Sequence, residues 1–151
     1  MSRDRGRYSM NRRHVLTTAA ALAVVAGPAF AQGHAGHDSP SGLNAPLVAA
    51  ATNCVRAGLA CINHCFDSLA AGDTSLAACA RSVDQMSAVC GALAKLASAG
   101  SPHLPAMAKL AQAVCLDCEK ECRKHADHHA VCKACADACA ACAEECRKVA
   151  A

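Results

Sequence analysis

The sequence predicts an all-α fold, an antiparallel up-down-up-down four-helix bundle with a cysteine-lined core, on three observations. Alanine-rich segments repeat cysteine and aliphatic residues at helical spacing. Glycine and proline interrupt those segments at a few separated places, Gly72, Gly100 and Pro102 with Pro105. The segments between the breaks are of similar length and joined by short connections, which makes sequential helices antiparallel neighbours.

The elements follow in chain order. Residues 1–31 read as a twin-arginine export signal. "MNRRHVLTTAAALAVVAGPAFA", from Met10, carries Arg12 and Arg13, an apolar run of about fourteen residues and a closing Ala29-Phe30-Ala31. The run is too short to span a bilayer, and the small residues after Pro28 read as a cleavage site. The mature chain is expected from Gln32, in the periplasm or cell envelope. Residues 32–42, "QGHAGHDSPSG", polar and glycine-rich with His34 and His37, read as a flexible lead. Residues 43–151 form the bundle. The first helix is expected from about Leu43 to Ala71, stopped by Gly72 and Asp73, and the second from a cap near Thr74 to about Ala99, stopped by Gly100. The third starts between Pro102 and Pro105 and reaches about His125; after an "ADHH" turn the fourth runs from about His129 to Val149.

All 13 cysteines lie within the bundle segment. At 100° per residue, Cys132, Cys135, Cys139, Cys142 and Cys146 fall within about 80° of one another. Cys54, Cys61 and Cys65 fall within about 40°, Cys79 and Cys90 within about 20°, and Cys115, Cys118 and Cys122 within about 60°. Each helix therefore turns its thiols to one side. A single cysteine on such a seam is an ordinary small buried hydrophobe. That account fails for the set, because the fourth helix has no Leu, Ile, Phe or Met with which to build an aliphatic core.

The spacing restricts what the thiols can do. Helical i, i+3 and i, i+4 neighbours have Cβ atoms about 5 to 6 Å apart, whereas a disulfide wants about 3.8 Å. Two thiolates flanking one metal ion sit about 4 to 5 Å apart, which helical neighbours reach. Haem attachment is excluded because no Cys-x-x-Cys here is followed by His. Cys135-x-x-x-Cys139-x-x-Cys142 has radical iron–sulfur spacing, but it is one window in a longer heptad run, with no room for the barrel that chemistry occupies. A thioredoxin-like motif would need a sheet. Zinc remains open, since four thiolates from four helices can form a tetrahedral site. A disulfide scaffold is the default for an exported cysteine-rich chain; an odd cysteine count and long helices oppose it.

Five of the fifteen Lys and Arg but one of the twelve Asp and Glu precede residue 32, leaving ten basic against eleven acidic groups in the mature part. With no basic stripe and no tryptophan, nucleic-acid binding is not expected. Nor is membrane insertion of the mature chain, and no nucleophile with an orienting base points to an enzyme. Antiparallel connection puts the first and third loops at one end of the bundle, with Cys65, Cys79, Cys122, Cys132 and Cys135 within about two turns of it. His64, His125, His128 and His129 belong to that mouth, and His64 is the clearest non-thiol metal candidate.

"CINHCF" at Cys61–Phe66, "VCGALAKLA" at Val89–Ala97, "CLDCEKEC" at Cys115–Cys122 and the Cys132–Cys146 run with "CAEECRKVAA" at its end resemble the copper storage proteins. That family consists of cysteine-lined four-helix bundles holding many Cu(I) ions. The resemblance implies non-catalytic storage or buffering of Cu(I) by the thirteen cysteines, several ions per chain, a homotetramer, and an unknown copper-receiving protein. Exported members can place methionines near the open end, where this chain has Ser68, Ala71 and Leu76. Zinc or mixed soft-metal sequestration, and a disulfide-linked envelope protein without metal, are the alternatives.

Overall fold

The computed structural model describes residues 42 and 44–150; the expected export signal at 1–31 and the expected lead before Gly42 lie outside the described residues. Four helices fill the described chain: α1 (Ala45–Ala70), α2 (Ala77–Ser98), α3 (Leu104–Arg123) and α4 (Ala130–Val149). Packing runs around a ring, α1 on α2, α2 on α3, α3 on α4 and α4 back on α1. Four short-looped antiparallel helices can close around one core only in this way.

Local chemistry sets the ends. Proline in the first turn of α1 and of α3 sits where no intrahelical N–H bond is lost. Gly72 and Gly100 take positive φ, 85° and 59°. Each ends its helix in a paired motif: the Gly72 and Asp73 amides donate to Leu69 and Ser68, and the Gly100 and Ser101 amides donate to Ala97 and Leu96. α2 begins three residues beyond the expected Thr74. The Asp73 carboxylate caps the turn by accepting from the Ser75 amide at 2.9 Å, and Leu76, fully buried, starts the helix. α3 stops at Arg123 and continues as turns through His128 before α4 opens at His129.

By length and composition α1 is apolar enough to cross a membrane. Alanine and cysteine both register as apolar, and α1 is rich in them. Here α1 commits Leu47, Ala51, Cys54, Cys61 and Cys65 to the bundle core. The core is graded along the axis. Leu47, Leu93, Ala97, Leu104, Ala108 and Ala111 pack the end away from the mouth, where Asn44 Nδ2 also donates to the Ala97 carbonyl at 3.3 Å. From there toward the mouth, cysteine predominates.

Candidate metal centre

All thirteen cysteines are fully buried and free, so every helix turns its thiols inward as the helical phase requires. The closest sulfur contacts bridge helices. Cys90 and Cys115 approach to 3.4 Å and Cys79 and Cys122 to 3.5 Å between α2 and α3. Cys54 and Cys139 lie 3.6 Å apart and Cys61 and Cys132 3.7 Å apart between α1 and α4. Cys61 and Cys79 join α1 to α2 at 3.9 Å, and Cys90 reaches Cys142 on α4 at 3.9 Å. Within a helix, Cys118 and Cys122 stand 4.0 Å apart. Cysteine spacing predicts pairs along a helix; the bundle adds closer pairs across it, because facing seams interdigitate.

These contacts organise into groups whose sulfurs all lie within 4.8 Å of one another. Nearest the mouth are Cys61, Cys79 and Cys132, and Cys61 with Cys122 and Cys135. Next come Cys118, Cys135 and Cys139. Deeper still, Cys54, Cys90, Cys115 and Cys142 form a ring with one thiol from each helix. Cys61 and Cys135 each belong to two of the three-thiol groups, and the 3.6 Å contact of Cys139 with Cys54 joins these to the four-thiol ring, so the groups form one column. Cys65 and Cys146 stand outside these groups, toward the mouth and the far end respectively.

No charged side chain is buried among the described residues. The column therefore has no internal cation to balance thiolates, and its electrostatics follow from that. Burial pushes the Cys65 and Cys132 thiols up, with repulsion from neighbouring sulfurs adding to it. Cys90 is pushed up by its hydrogen bonds to Cys115 and Cys142, and Cys146 by its bond to Cys142. Cys118 and Cys142 are pulled down, chiefly by S–H donation from Cys122 and from Cys115. A few thiolates solvated by neighbouring S–H groups are tolerable in such a core; thirteen are not unless cations enter with them.

The mouth carries the histidines. His64 Nε2 lies 2.8 Å from His129 Nδ1, so one ring donates and the other accepts. The His125 ring stands 6.4 Å from that of His129. His64, His125 and His129 are half-buried, and His128 is exposed. The Asp73 carboxylate in the facing loop is held below its usual range, chiefly by the Ser75 amide, with small contributions from His129 and His125. Arg123, at the end of α3, pairs with Asp137 of α4 at 2.6 Å and with Glu119 at 3.1 Å, tying the two helices together beside this opening. His34 and His37 lie outside the described residues.

One sulfur that the sequence reading passed over faces the same column. Met86 is fully buried on α2, and its Sδ accepts the Cys54 S–H at 3.2 Å. Its position on the α2 seam, seven residues after Cys79 and four before Cys90, is the signal that could have found it.

Comparison with known proteins gives a consistent set. Residues 43–151 match the copper storage protein family. The uncharacterised cysteine-rich protein YhjQ of Bacillus subtilis is 34% identical over 103 residues, covering 65% of this chain and 94% of its own. The solved structure of apo copper storage protein 3 from Bacillus subtilis is 30% identical with a TM-score of 0.64, covering 72% of this chain and 99% of that one. A cytosolic copper storage protein from Streptomyces lividans, with five coppers, is 27% identical with a TM-score of 0.66, over 73% of this chain and 93% of its own.

Proposed function

From the premise that this chain belongs to the copper storage protein family, we propose that its thiol column stores Cu(I). All thirteen cysteines and His64 take part, as the sequence reading anticipated. The observation that carries the proposal is a core of thirteen buried free thiols with no buried cation among the described residues. Such a core reaches charge balance when monovalent soft cations replace thiol protons. Cu(I) is selected by thiolates and is satisfied with few ligands. If each ion takes two sulfurs and each sulfur bridges two ions, the ratio approaches one ion per cysteine, roughly ten or more per chain.

Entry is at the histidine-lined end. His64 and His129, with His125 beside them, receive the ion and pass it to Cys65 and to the first three-thiol groups. The role is storage and buffering, non-catalytic, with an unidentified protein as recipient. Location is proposed from the sequence: residues 1–31 direct twin-arginine export to the periplasm or envelope, residues 32–42 form the lead and 43–151 the binding domain. The fold is compatible with either side of the membrane, since a cytosolic relative shares it. A homotetramer is proposed on the family resemblance and on Leu59, Phe66, Leu110 and Leu116, apolar side chains about half exposed on α1 and α3.

Zinc is the second reading, favoured by one observation. The ring of Cys54, Cys90, Cys115 and Cys142 offers four thiols, the ligand number of a structural zinc site. Stoichiometry separates the two, because 13 cysteines complete about three unshared four-thiolate zinc sites. Anaerobic titration of the reduced chain with Cu(I) against a strong chromophoric chelator should saturate at roughly ten or more ions. Saturation at four or fewer, or displacement of Cu(I) by zinc at equilibrium, refutes copper storage. Mass measurement after alkylation under denaturing conditions tests the disulfide alternative, which requires cysteines that escape modification.

A further inference from the structure

We infer that Met86 is a ligand of the stored metal, holding one Cu(I) together with Cys54 deep inside the bundle. The inference rests on the copper-storage reading of the thiol column and adds a thioether to it. Its first support is contact: Met86 is fully buried, and its Sδ accepts from Cys54 Sγ at 3.2 Å, the shortest sulfur–sulfur hydrogen bond among the described residues. Its second is position. Cys54 belongs to the four-helix thiol ring and lies 3.6 Å from Cys139, so the methionine sulfur joins the column where it is densest. Met86 is nine residues into α2, about 14 Å along the helix from the mouth, and so belongs to the interior and not to the entrance.

The third support is that the pose is built. Gly58 is buried in the middle of α1, where glycine costs about 1 kcal/mol relative to alanine. A Cβ at that position would stand 2.8 Å from Met86 Cε. The space left by the missing side chain is shared by Ser87 Oγ, 2.7 Å from that Cβ position, and the methionine methyl, and with the methyl seated against Gly58 the sulfur faces Cys54. A leucine at 86 would fill a similar volume but would have no lone pair to offer.

The chemistry favours a monovalent soft ion. On binding, Cys54 loses its proton to solvent and forms a sulfur–copper bond, while Met86 donates a lone pair and loses nothing. A Cys54–Cu–Met86 unit is electrically neutral, whereas an unshared bis-thiolate unit carries a negative charge. In a core without buried cations the neutral unit costs less desolvation. The sulfurs must part a little. With bonds of about 2.3 Å, a three-coordinate ion needs them about 4.0 Å apart and a linear one about 4.6 Å. The unbranched methionine side chain, with three rotatable bonds, supplies that movement without shifting the backbone.

Selenium replacement tests this directly. The full chain is labelled with selenomethionine, reduced, loaded anaerobically with Cu(I), and compared at the selenium absorption edge with an identically labelled Met86→Leu variant. The wild-type spectrum should contain a copper neighbour at bonding distance, about 2.4 Å, that the variant lacks. Met86→Leu should keep its helical circular dichroism and bind about one tight ion fewer. Full copper uptake with selenium free of copper neighbours in both proteins overturns the role of Met86 and leaves storage standing. Uptake of four or fewer ions overturns the storage reading, and this inference with it.

Discussion

Replacing Gly58 by alanine tests how closely α1 and α2 approach beside the thiol ring. A Cβ at 58 would meet Ser87 Oγ at 2.7 Å, Met86 Cε at 2.8 Å and Val83 Cγ1 at 3.4 Å. Two effects oppose. Alanine in a helix interior gains about 1 kcal/mol over glycine, and overpacking a filled site costs about 1 to 3 kcal/mol. The two contacts below 3.0 Å decide the sign, and a net loss of about 1 kcal/mol is expected. Anaerobic urea unfolding of the reduced metal-free protein should show a midpoint lower by about 0.5 M with an unchanged slope. Ser87 provides the control, because its Oγ is buried without a hydrogen-bond partner. Ser87→Ala should be near neutral, since it strands no group. In that background Gly58→Ala meets chiefly the flexible end of Met86, and most of its cost should disappear, a coupling of about 1 kcal/mol. A Gly58→Ala midpoint that rises, and rises equally with serine or alanine at 87, would refute the packing argument.

Cys139→Ser and Cys142→Ser should each lower Cu(I) capacity by about one to two ions, measured by chelator competition, with apo helicity unchanged, because each sulfur touches few ions and serine nearly preserves its volume. His64→Ala should slow uptake in stopped-flow with little change in capacity; loss of several ions would contradict its placement at the mouth. The reduced apoprotein should lose stability as pH rises above 9.0, the ordinary value for these thiols. Cys65 and Cys132, pushed up by burial, keep their protons in the folded state when unfolded thiols ionise, so the folded state binds more protons and stability falls. The thiols pulled down, Cys118 and Cys142, are ionised only in the folded state below 9.0 and so add stability up to that pH; above it they are ionised in both states and add no slope. Anaerobic melts at about pH 9.5 and about pH 11, both above the ordinary thiol value, check this, and a flat or rising profile would count against it.

Much of the site was legible without coordinates. Helical phase alone turned Cys132, Cys135, Cys139, Cys142 and Cys146 to one side, because 3.6 residues per turn leaves a heptad-spaced set no other arrangement. Gly72 and Gly100 marked their helix ends, since both occupy the left-handed conformation that glycine adopts freely. Short loops then placed His64 and His129 at one end. What the sequence could not carry was partnership. The phase of a helix says which face is inward, but its rotation and axial stagger against three neighbours decide which sulfurs meet. Hence Cys90 finds Cys115 at 3.4 Å and Cys142 at 3.9 Å on two other helices. Met86 was passed over for the same reason: a methionine on a core seam reads as filler until the fold sets it against Cys54 and sets Gly58 behind its methyl. Composition and periodicity determined that this chain would bury a column of thiols, and tertiary packing alone decided their grouping, because distances of 3 to 4 Å between helices depend on side-chain interdigitation that no single helix encodes.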